Sequence, residues 1–397
     1  MCGITGVFGN TNDNDLTRVV GVMADSLVHR GPDDCGVWSD EAAHIAFGHR
    51  RLSVIDLSQE GHQPMHSACG RYIIVFNGEI YNHKALRKEL ECEFASSHLS
   101  KDEGVVGWRG QSDTETLLSA FSRWGIEATL NRVVGMFAIA VWDRSDRRLC
   151  LVRDRMGEKP LYYGWCNGRF VFGSELKAVC RYPGFSNEID RDSLTLYLRH
   201  NYVPAPYSIY KNILKLEPGC LLSLKLEDTA SRPSLKMCAP ESKGSLHLTR
   251  WWSLHEVVED GRASRITDEK EAMVLLESQL RESIRLQLAA DVPLGAFLSG
   301  GVDSSLIVAL MQSEANTPVS TYTIGFSEAN YDEAVYARSV AKYLQTNHTE
   351  LYLSAADAQE VIPLLPTLYD EPFADSSQIP TFLVAQMAKK YVTVALS

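Results

Sequence analysis

The sequence has 397 residues, of which 45% are hydrophobic and 22% charged, and its formal net charge is −11. This composition predicts a globular protein of two or three domains, and the negative charge argues against nonspecific affinity for nucleic acid. Because the longest apolar runs are far shorter than a membrane span, we expect a protein in solution with no membrane-embedded segment.

The first half of the sequence predicts short strands separated by turns, with few helices. Two helical patterns run from Leu16 to Leu27 and from Ser112 to Trp124, and in the second Ser112 and Glu115 have the spacing of a capping box. Seven stretches are rich in β-branched and aromatic residues: CGITGVFG, HIAFGHRRLSVID, YIIVFNGEIYN, GMFAIAVWD, RLCLVRD, PLYYGW and RFVFGSE. This order predicts an α+β sandwich over residues 2–215.

The second half predicts a different architecture. Residues 226–250 are rich in Ser, Pro and Lys and lack a strong period, which predicts a connection between domains within 216–265. From Asp268 onward, helical and strand patterns alternate: EKEAMVLLESQLRESIRLQLA, GAFLS, LIVALMQ, VSTYTIGF, DEAVYARSVAKYLQ and HTELYL. This alternation predicts a parallel sheet with helices on both faces over 266–397.

The position of Cys2 singles it out among nine cysteines. No pair has CxxC spacing, their number is odd and no export signal is evident, so we expect reduced thiols in the cytoplasm and neither disulfides nor a zinc site. If Met1 is removed, Cys2 carries both a thiol and a free α-amine. Such an amine titrates near about 7.7–8.0 and can take the proton of the thiol. Alone, however, a cysteine near a terminus is weak evidence.

Four polar motifs follow Cys2 at ordered distances: RGPD, GHRRLSVID, FNGEIYN and GQSDTE. An arginine can bind an α-carboxylate with two hydrogen bonds, and Glu79 and Asp113 can bind an ammonium group. Asn77 and the backbone N–H of Gly78 can stabilise an oxyanion. The alternative is ordinary surface polarity with a hairpin turn at Asn77 and Gly78. Because the motifs occur together and in order, we interpret them as a site that captures a small amino acid.

On these motifs, the first 200 or so residues resemble the class-II glutamine amidotransferase domain, an N-terminal-nucleophile αββα sandwich that hydrolyses glutamine to glutamate and ammonia. The resemblance implies that Cys2 is the nucleophile and that Asn77 and Gly78 form the oxyanion hole. The arginine that binds the glutamine carboxylate is ambiguous between Arg50 and Arg51, and alignment on RLS favours Arg51. The implied glutamine-binding residues are Arg51, Leu52, Ser53, Val54, Ile55, Asn77, Gly78, Glu79 and Asp113.

The stretch FLSGGVDSS, residues 297–305, lies between a predicted strand and a predicted helix. Glycine N–H groups at a helix N-terminus can bind an anion, and Asp303 can hold a Mg²⁺ ion that bridges phosphates. The Walker A lysine and the GxGxxG fingerprint are absent, and a bare glycine–serine turn is the alternative. The motif resembles the pyrophosphate loop of the ATP pyrophosphatase family. That resemblance implies ATP-binding residues Leu298, Ser299, Gly300, Gly301, Asp303, Ser304, Ile324 and Ser397, with Leu298 and Ile324 contacting adenosine through their backbones.

The order of the two motif sets resembles glutamine-hydrolysing asparagine synthetase over essentially the whole chain apart from the connection. The resemblance implies that aspartate attacks the α-phosphate of Mg-ATP, and that ammonia released at Cys2 displaces AMP from β-aspartyl-AMP. ATP and Mg²⁺ would then enter as a substrate complex, without a tightly bound cofactor. Glutamine, aspartate and ATP are the expected small-molecule partners, and a homodimer is a family expectation.

The resemblance breaks at the end of the sequence. In the family, the strand YVTVALS leads into a glycine- and acid-rich loop, of which Ser397 would be the first residue, so we expect a C-terminally truncated synthetase domain. Three alternatives stay open. They are a relative that amidates another carboxylate acceptor, such as a sugar acid or a peptide, a chain with glutaminase activity alone, and a noncatalytic protein that keeps the fold. Cys2, the oxyanion pair and SGGVDSS argue against the last.

Overall fold

The computed structural model of the chain describes residues 1–10, 15–96, 107–230, 232–233, 238–326 and 332–397. These residues form two compact units. The first consists of Met1–Ala263 with Asp370–Phe373, and the second of Ser264–Tyr369 with Ala374–Ser397. None of the described helices has the length and hydropathy needed to cross a membrane. The nine cysteines are free thiols.

The first unit contains two antiparallel sheets. Its strands are β1 (Gly3–Phe8), β2 (Asp34–Asp40), β3 (Ile45–Arg51), β4 (Met65–His66), β5 (Tyr72–Ile80), β6 (Gly135–Asp143), β7 (Arg148–Arg153), β8 (Tyr162–Cys166), β9 (Arg169–Gly173), β10 (Ile213–Lys215), β11 (Cys220–Leu224), β12 (Glu241–Lys243) and β13 (Leu246–Arg250). The described strands of one sheet have the order β10-β8-β9-β1-β3-β2, and those of the other β12-β13-β11-β7-β6-β5-β4. The strands predicted from the sequence are confirmed, although the second predicted stretch, which forms β3, ends at Arg51 and leaves 52–56 as a loop.

The described part of the first unit contains seven α-helices, and residues of several of them pack on the outer faces of the sheets. They are α1 (Leu16–Asp25), α2 (His83–Ser96), α3 (Asp113–Trp124), α4 (Ile126–Arg132), α5 (Leu176–Val179), α6 (Arg191–His200) and α7 (Leu254–Ala263). Short 3₁₀ helices span Glu41–Ala43, Gln59–Gly61 and Leu226–Thr229. Because α1 ends at Asp25, the helix predicted to Leu27 is slightly shorter than expected.

The packing of the first unit gives an αββα sandwich, as predicted. Between the sheets, Phe8 of β1 packs edge-on against Trp142 of β6, with ring centroids 5.3 Å apart. On the outer face of the larger sheet, Phe121 of α3 lies in a second buried cluster. On the outer face of the smaller sheet, Val20 and Met23 of α1 belong to a third. Burial of these three layers stabilises the unit at about 25 cal/mol per Å² of apolar surface.

The stretch predicted to connect the domains, 216–265, is instead largely folded into the first unit, which extends to Ala263. β11 pairs with β7 and with β13, and α7 follows. The reason is a short period-two pattern, in which buried Leu246 and Leu248 alternate with more exposed His247 and Thr249. Polar and proline-rich residues between the strands hide this pattern, and of these Ser231 and residues 234–237 lie outside the described part of the chain.

The second unit contains a parallel sheet with helices on both faces, as the alternating pattern predicted. The described strands are β14 (Leu294–Phe297), β15 (Ser320–Phe326), β16 (Asn347–Leu353) and β17 (Val394–Leu396), in the order β16-β15-β14-β17. The helices are α8 (Glu269–Gln287), α9 (Val302–Glu314), α10 (Ala334–Leu344), α11 (Ala355–Val361), α12 (Leu365–Leu368) and α13 (Gln378–Ala388), and a 3₁₀ helix spans Ile362–Leu364. One buried cluster contains Ala296, Val308 and Ala337, and another contains Tyr322 and Met387.

Candidate active site

The thiol of Cys2 lies against the loop that follows β3. Its Sγ accepts the N–H of Leu52 at 3.4 Å and lies 3.6 Å from the carbonyl oxygen of the same residue. The Cys2 carbonyl accepts a hydrogen bond from Nε of Arg30 at 2.9 Å. Burial raises the pKa of the thiol. Since the thiolate is the nucleophilic form, a base is required to generate it near neutral pH.

A terminal amine at this position can act as that base. Met1 carries the amine in this structure, and burial lowers its pKa to about 5, so that it is unprotonated at neutral pH. Removal of Met1 moves the terminus one residue further inward, onto Cys2. The amine and the thiol would then belong to one residue, which is the arrangement that the sequence predicts for an N-terminal nucleophile.

The loop of residues 52–55 is organised by Arg51. The guanidinium of Arg51 donates to the carbonyl oxygens of Ser58 at 2.9 Å, Ile55 at 3.3 Å and Asp56. A Cβ at Gly61 would lie 1.8 Å from a guanidinium nitrogen, so a larger residue there would force the Arg51 side chain to move. All four loop residues, Leu52, Ser53, Val54 and Ile55, are half-buried.

Arg50 and Arg51 point to opposite sides of β3 because successive side chains along a strand alternate. Arg50 pairs with Asp25 of α1, on the outer face, whereas Arg51 turns toward the loop beside Cys2. The RGPD motif supports the same loop, since the N–H of Ser53 donates to Asp33 at 2.8 Å. The geometry therefore favours Arg51 over Arg50 as the arginine next to the candidate site.

Three of the other predicted residues, Asn77, Gly78 and Glu79, lie in β5. The hydrogen bonds of their neighbours in the strand show where the N–H of Gly78 points. Phe76 donates its N–H to Oε1 of Gln63 at 2.7 Å, and Ile80 donates its N–H to Oδ2 of Asp113 at 2.9 Å. Gly78 lies midway between them, and alternate residues of a strand direct their N–H groups to the same side. Its N–H therefore points away from β6, toward the edge capped by these side chains.

The partner strand is consistent with this direction. Gly78 lies opposite Phe137 of β6, whose N–H donates to Oδ2 of Asp154 at 3.1 Å. The carbonyl oxygen of Phe137 in turn accepts the N–H of Asp154 at 2.9 Å. The backbone N–H and carbonyl of Phe137 thus both bond to Asp154, and neither bonds to Gly78. A Cβ at Gly78 would lie 2.1 Å from the Met136 carbonyl oxygen, so glycine is required here.

Asn77 and Glu79 have buried polar atoms without a hydrogen-bond partner among the described residues. Both Nδ2 and Oδ1 of Asn77 are unpaired, although the side chain is fully buried, and so is Oε1 of Glu79. Burial, with a smaller contribution from Asp113, raises the pKa of Glu79 to about 7. Leaving such atoms unpaired costs about 1–3 kcal/mol each, which is typical of groups that await a ligand.

Asp113 is the first residue of α3 and joins the same site. It interacts electrostatically with both Cys2 and Glu79, and burial raises its pKa. The predicted N-cap is confirmed, since Oγ of Ser112 accepts the N–H of Thr114 at 3.1 Å. The capping box is wrong in its second half, because Glu115 accepts instead the N–H groups of Arg109 and Gly110 in the preceding loop.

Four residues around the site were not assigned a role from the sequence. Gln63 and His49 bond the backbone of Phe76, the latter by donating from Nε2 at 3.1 Å, and Asp154 bonds Phe137. Lys159 is 4% exposed and interacts electrostatically with Glu79. His49, Asp154 and Lys159 lie in stretches rich in recognisable motifs, so position alone could have marked them. Nothing in the sequence around Gln63 indicates its role.

In the second unit, SGGVDSS forms the turn between β14 and α9. Gly300 has φ +80°, and a Cβ there would lie 2.6 Å from the Ala337 nitrogen. Oγ of Ser299 lies 2.9 Å from Oγ of Ser304, and Gly301 caps α9 without a side-chain hydrogen bond. The N–H of Gly301 donates to Oγ of Ser299 at 3.3 Å, and the N-terminus of a helix such as α9 can bind an anion.

The remaining predicted nucleotide residues lie near the carboxyl ends of the parallel strands. The N–H of Leu298 donates to Tyr322 of β15 at 2.9 Å, and Ile324 is half-buried two residues further along that strand. Ser397 follows β17, which pairs with β14. Asp303 is exposed in the first turn of α9. One carboxylate with substrate phosphates is a common way to bind Mg²⁺, so Asp303 fits that role.

Two family models match the chain. The model described as a glutamine amidotransferase domain matches residues 1–234, and the model described as asparagine synthase matches residues 275–397. Their order along the chain is the order of the two sites described above.

Individual relatives extend the match over the whole chain. "Putative asparagine synthetase (glutamine-hydrolyzing) 2" of Methanocaldococcus jannaschii is 33% identical over 418 residues, covering 100% of this chain and 73% of that protein. Asparagine synthetase (glutamine-hydrolyzing) 1 of Bacillus subtilis is also 33% identical, covering 100% of this chain and 57% of that protein. A solved B. subtilis glutamine phosphoribosylpyrophosphate amidotransferase is 15% identical, with a TM-score of 0.42 over 88% of this chain and 65% of that chain.

Proposed function

Because the chain belongs to the glutamine-hydrolysing asparagine synthetase family, we propose that its first unit hydrolyses glutamine at Cys2. We propose further that the ammonia formed is transferred to aspartate that has been activated by ATP in the second unit. The chain spans 73% and 57% of the lengths of the two relatives compared, so the second step is proposed for the whole enzyme that these relatives represent.

The observation that carries the first step is the set of unpaired polar groups on β5. Asn77 and Gly78 offer two N–H donors on the same stretch of strand, which suit the oxygen of a side-chain amide as it becomes an oxyanion. Glu79 and Asp113 offer two carboxylates, which suit an α-ammonium group. Arg51 and the loop of residues 52–55 would bind the α-carboxylate. Glutamine carries all three groups, and these residues lie within the stretch that the glutamine amidotransferase domain model matches.

The first reaction proceeds through a thioester. The Cys2 thiol gives its proton to the α-amine of the same residue, and the thiolate attacks the side-chain carbonyl carbon of glutamine. The oxyanion accepts hydrogen bonds from Asn77 and Gly78, and its collapse breaks the C–N bond while the ammonium returns the proton to the leaving nitrogen. Ammonia departs, and water then hydrolyses the thioester, which releases glutamate and restores the thiol.

The second reaction uses the loop between β14 and α9. Ser299, Gly300, Gly301 and Ser304 would bind the pyrophosphate of ATP, with Mg²⁺ held between Asp303 and the phosphates. The side-chain carboxylate of aspartate attacks the α-phosphorus and releases pyrophosphate, giving β-aspartyl-AMP. Ammonia attacks the acyl carbon, AMP leaves, and asparagine forms.

The test is product analysis with the full chain. We expect glutamate from glutamine, measured by mass spectrometry, and loss of that activity in Cys2→Ala. Removal of one oxyanion donor in Asn77→Ala should lower kcat by about 10²–10³-fold. As a control, Asn131→Ala changes an amide on α4 that has no role in this site and should leave kcat unchanged. A folded, Met1-processed chain that forms no glutamate would refute the first step.

The second step is tested by adding aspartate and Mg-ATP. Asparagine and AMP in equal amounts support it. Glutamate without asparagine, in the chain and in its longer relatives alike, would refute aspartate as the acceptor. The same assay with sugar acids or peptide carboxylates would then reveal a different acceptor.

A further inference from the structure

Four residues of the first unit come from far along the chain. Asp370–Phe373 pack as part of the first unit, whereas the residues on either side, to Tyr369 and from Ala374, belong to the second. The side chains of Asp370 and Glu371 are 11% and 9% exposed. Two buried carboxylates on a four-residue segment need partners, because an isolated buried charge is costly.

Glu371 anchors the segment. Its Oε1 accepts the N–H of Ile209 at 2.8 Å, and its Oε2 accepts the hydroxyl of Tyr162 at 3.2 Å. The same carboxylate forms an ion pair with Lys215, whose side chain is 16% exposed. Both carboxylate oxygens are therefore used, and the anchor connects the segment to β8 and β10.

Asp370 connects the segment toward the nucleophile. Its Oδ2 accepts the N–H of Leu176 at 2.6 Å, the first residue of α5, and its Oδ1 lies 3.3 Å from Nζ of Lys177. Lys177 pairs in turn with Glu175 at 2.7 Å. Asp370 thus accepts the first N–H of α5, where Glu175 is the N-cap residue but makes no side-chain cap hydrogen bond.

The network continues from Glu175 to Cys2. Oε1 of Glu175 lies 2.6 Å from a guanidinium nitrogen of Arg30, and Nε of Arg30 donates to the Cys2 carbonyl at 2.9 Å. Burial alone would raise the pKa of Glu175, but Arg30 and Lys177 outweigh that effect and keep the pKa below its ordinary value. The order of contacts is therefore Asp370, Lys177, Glu175, Arg30 and the backbone of Cys2.

Such a network is a poor way to gain stability, since buried ion pairs are often replaceable by apolar residues at no cost. It is a good way to fix a position, because each charged group holds the next in place. We propose that Asp370, Lys177 and Glu175 are positioning residues for the nucleophile, and that they act through Arg30 on the Cys2 carbonyl. This inference rests on the proposed hydrolysis of glutamine at Cys2.

The experiment compares Asp370→Asn with Asp375→Asn in the full chain, without ATP or aspartate. Asp375 is exposed, lies five residues further along and bonds only within its own turn in the described contacts, so it is a matched control. We expect Asp370→Asn to lower kcat for glutamine by roughly 10–100-fold, because small displacements of a reacting group have effects of this size. KM should stay within about 2-fold, since the network does not contact the proposed glutamine-binding groups.

A second pair of variants guards against misfolding. Lys177→Met should lower kcat as Asp370→Asn does. Lys177→Arg keeps the positive charge and should retain most of the wild-type kcat, whereas loss of activity through misfolding need not depend on that charge. Wild-type kcat in folded Asp370→Asn or Lys177→Met, or a change in KM alone, would overturn the inference. If the wild-type chain itself forms no glutamate, the proposed function fails, and this outcome is separate from the failure of the network.

Discussion

Glu79 is a buried carboxyl group whose charge opposes folding and for which we propose a role in ligand binding. Its pKa is raised to about 7 from 4.5, mainly by burial, so the native state holds a proton between those values that the unfolded state releases. Stability therefore falls as the pH rises through this window. This difference in pKa between the folded and unfolded states lowers the free energy of unfolding by about 3 kcal/mol at pH 8. The proposed role of Glu79, binding an ammonium group, needs the ionised form.

We expect Glu79→Gln to raise the free energy of unfolding at pH 8 by as much as about 3 kcal/mol and to have little effect at pH 4. In the wild type, KM for glutamine should rise as the pH falls below about 7, and this dependence should weaken in the variant. Urea unfolding and initial rates at several pH values measure both effects.

The matched control for this prediction is Glu127→Gln, which changes an exposed carboxyl group on α4. It should leave KM for glutamine unchanged. Equal stability of Glu79→Gln and wild type at pH 8 would contradict the assigned cost of the buried charge.

At the scale of elements, the turn between β14 and α9 depends more on Gly300 than on Gly301. Gly300 has a positive φ and lies against the backbone of α10. Gly301 has φ −72°, and a Cβ added there would meet only Oγ of Ser299, at 3.3 Å. We expect Gly300→Ala to displace the loop, at a cost of about 1–3 kcal/mol, and to weaken Mg-ATP binding at least about 10-fold. Gly301→Ala should have a smaller effect, as measured by calorimetric titration.

Two results would contradict this expectation. Equal ATP affinity in Gly300→Ala and wild type would show that the loop tolerates a side chain there. An effect of Gly301→Ala as large as that of Gly300→Ala would show that contacts to phosphate, and not backbone strain, limit binding.

The sequence predicts most elements because their patterns are local. β1, β5 and β6 are apolar runs bounded by turn residues, and the parallel strands alternate with helices, so each is recognisable without its neighbours. β12 and β13 escape prediction because they are short and the polar, proline-rich residues around them hide the period-two pattern of β13. β13 pairs with β11, and β12 pairs with β13.

The residues of the candidate site, like most of the elements, are predictable from local motifs, whereas the orientation of their backbone groups is not. Asn77, Gly78, Glu79 and Asp113 stand in motifs, and the structure brings Asp113 within electrostatic range of both Cys2 and Glu79. The direction of the Gly78 N–H was inferred from hydrogen bonds that its neighbours make with distant segments, such as that of Phe76 with Gln63, and no local pattern contains these pairings. The loop carbonyls that bind Arg51 are equally invisible in a sequence, because backbone atoms carry no residue identity.

At the scale of the whole molecule, α8 has an apolar face of which only one end packs in the core of the second unit. Ile284 and Leu280 pack into the second unit, but Met273 and Leu276, on the same helical face, are 64% and 60% exposed. Exposed apolar faces of this kind promote association. We expect copies of this chain to associate through this face, and the double variant Met273→Glu/Leu276→Glu to reduce that association in light scattering. Its free energy of unfolding should change by no more than about 0.5 kcal/mol.

Leu280→Glu is the control for α8, because that side chain packs against the core and its replacement should destabilise the unit by several kcal/mol. If the double variant associates as strongly as the wild type, the exposed face of α8 does not drive association.

The segment Asp370–Phe373 also bears on how the chain is made. A ribosome synthesises the body of the first unit, through Ala263, well before residue 370. Domains commonly fold as they emerge, at about 5–20 residues per second, so the sandwich would exist for several seconds without its last four residues. During that interval, Lys215 and Lys177 lack the carboxylates of Glu371 and Asp370. On the role proposed for this network, Cys2 would be fully supported only after residue 370 has been translated, and the proposed hydrolysis of glutamine would be delayed in nascent chains.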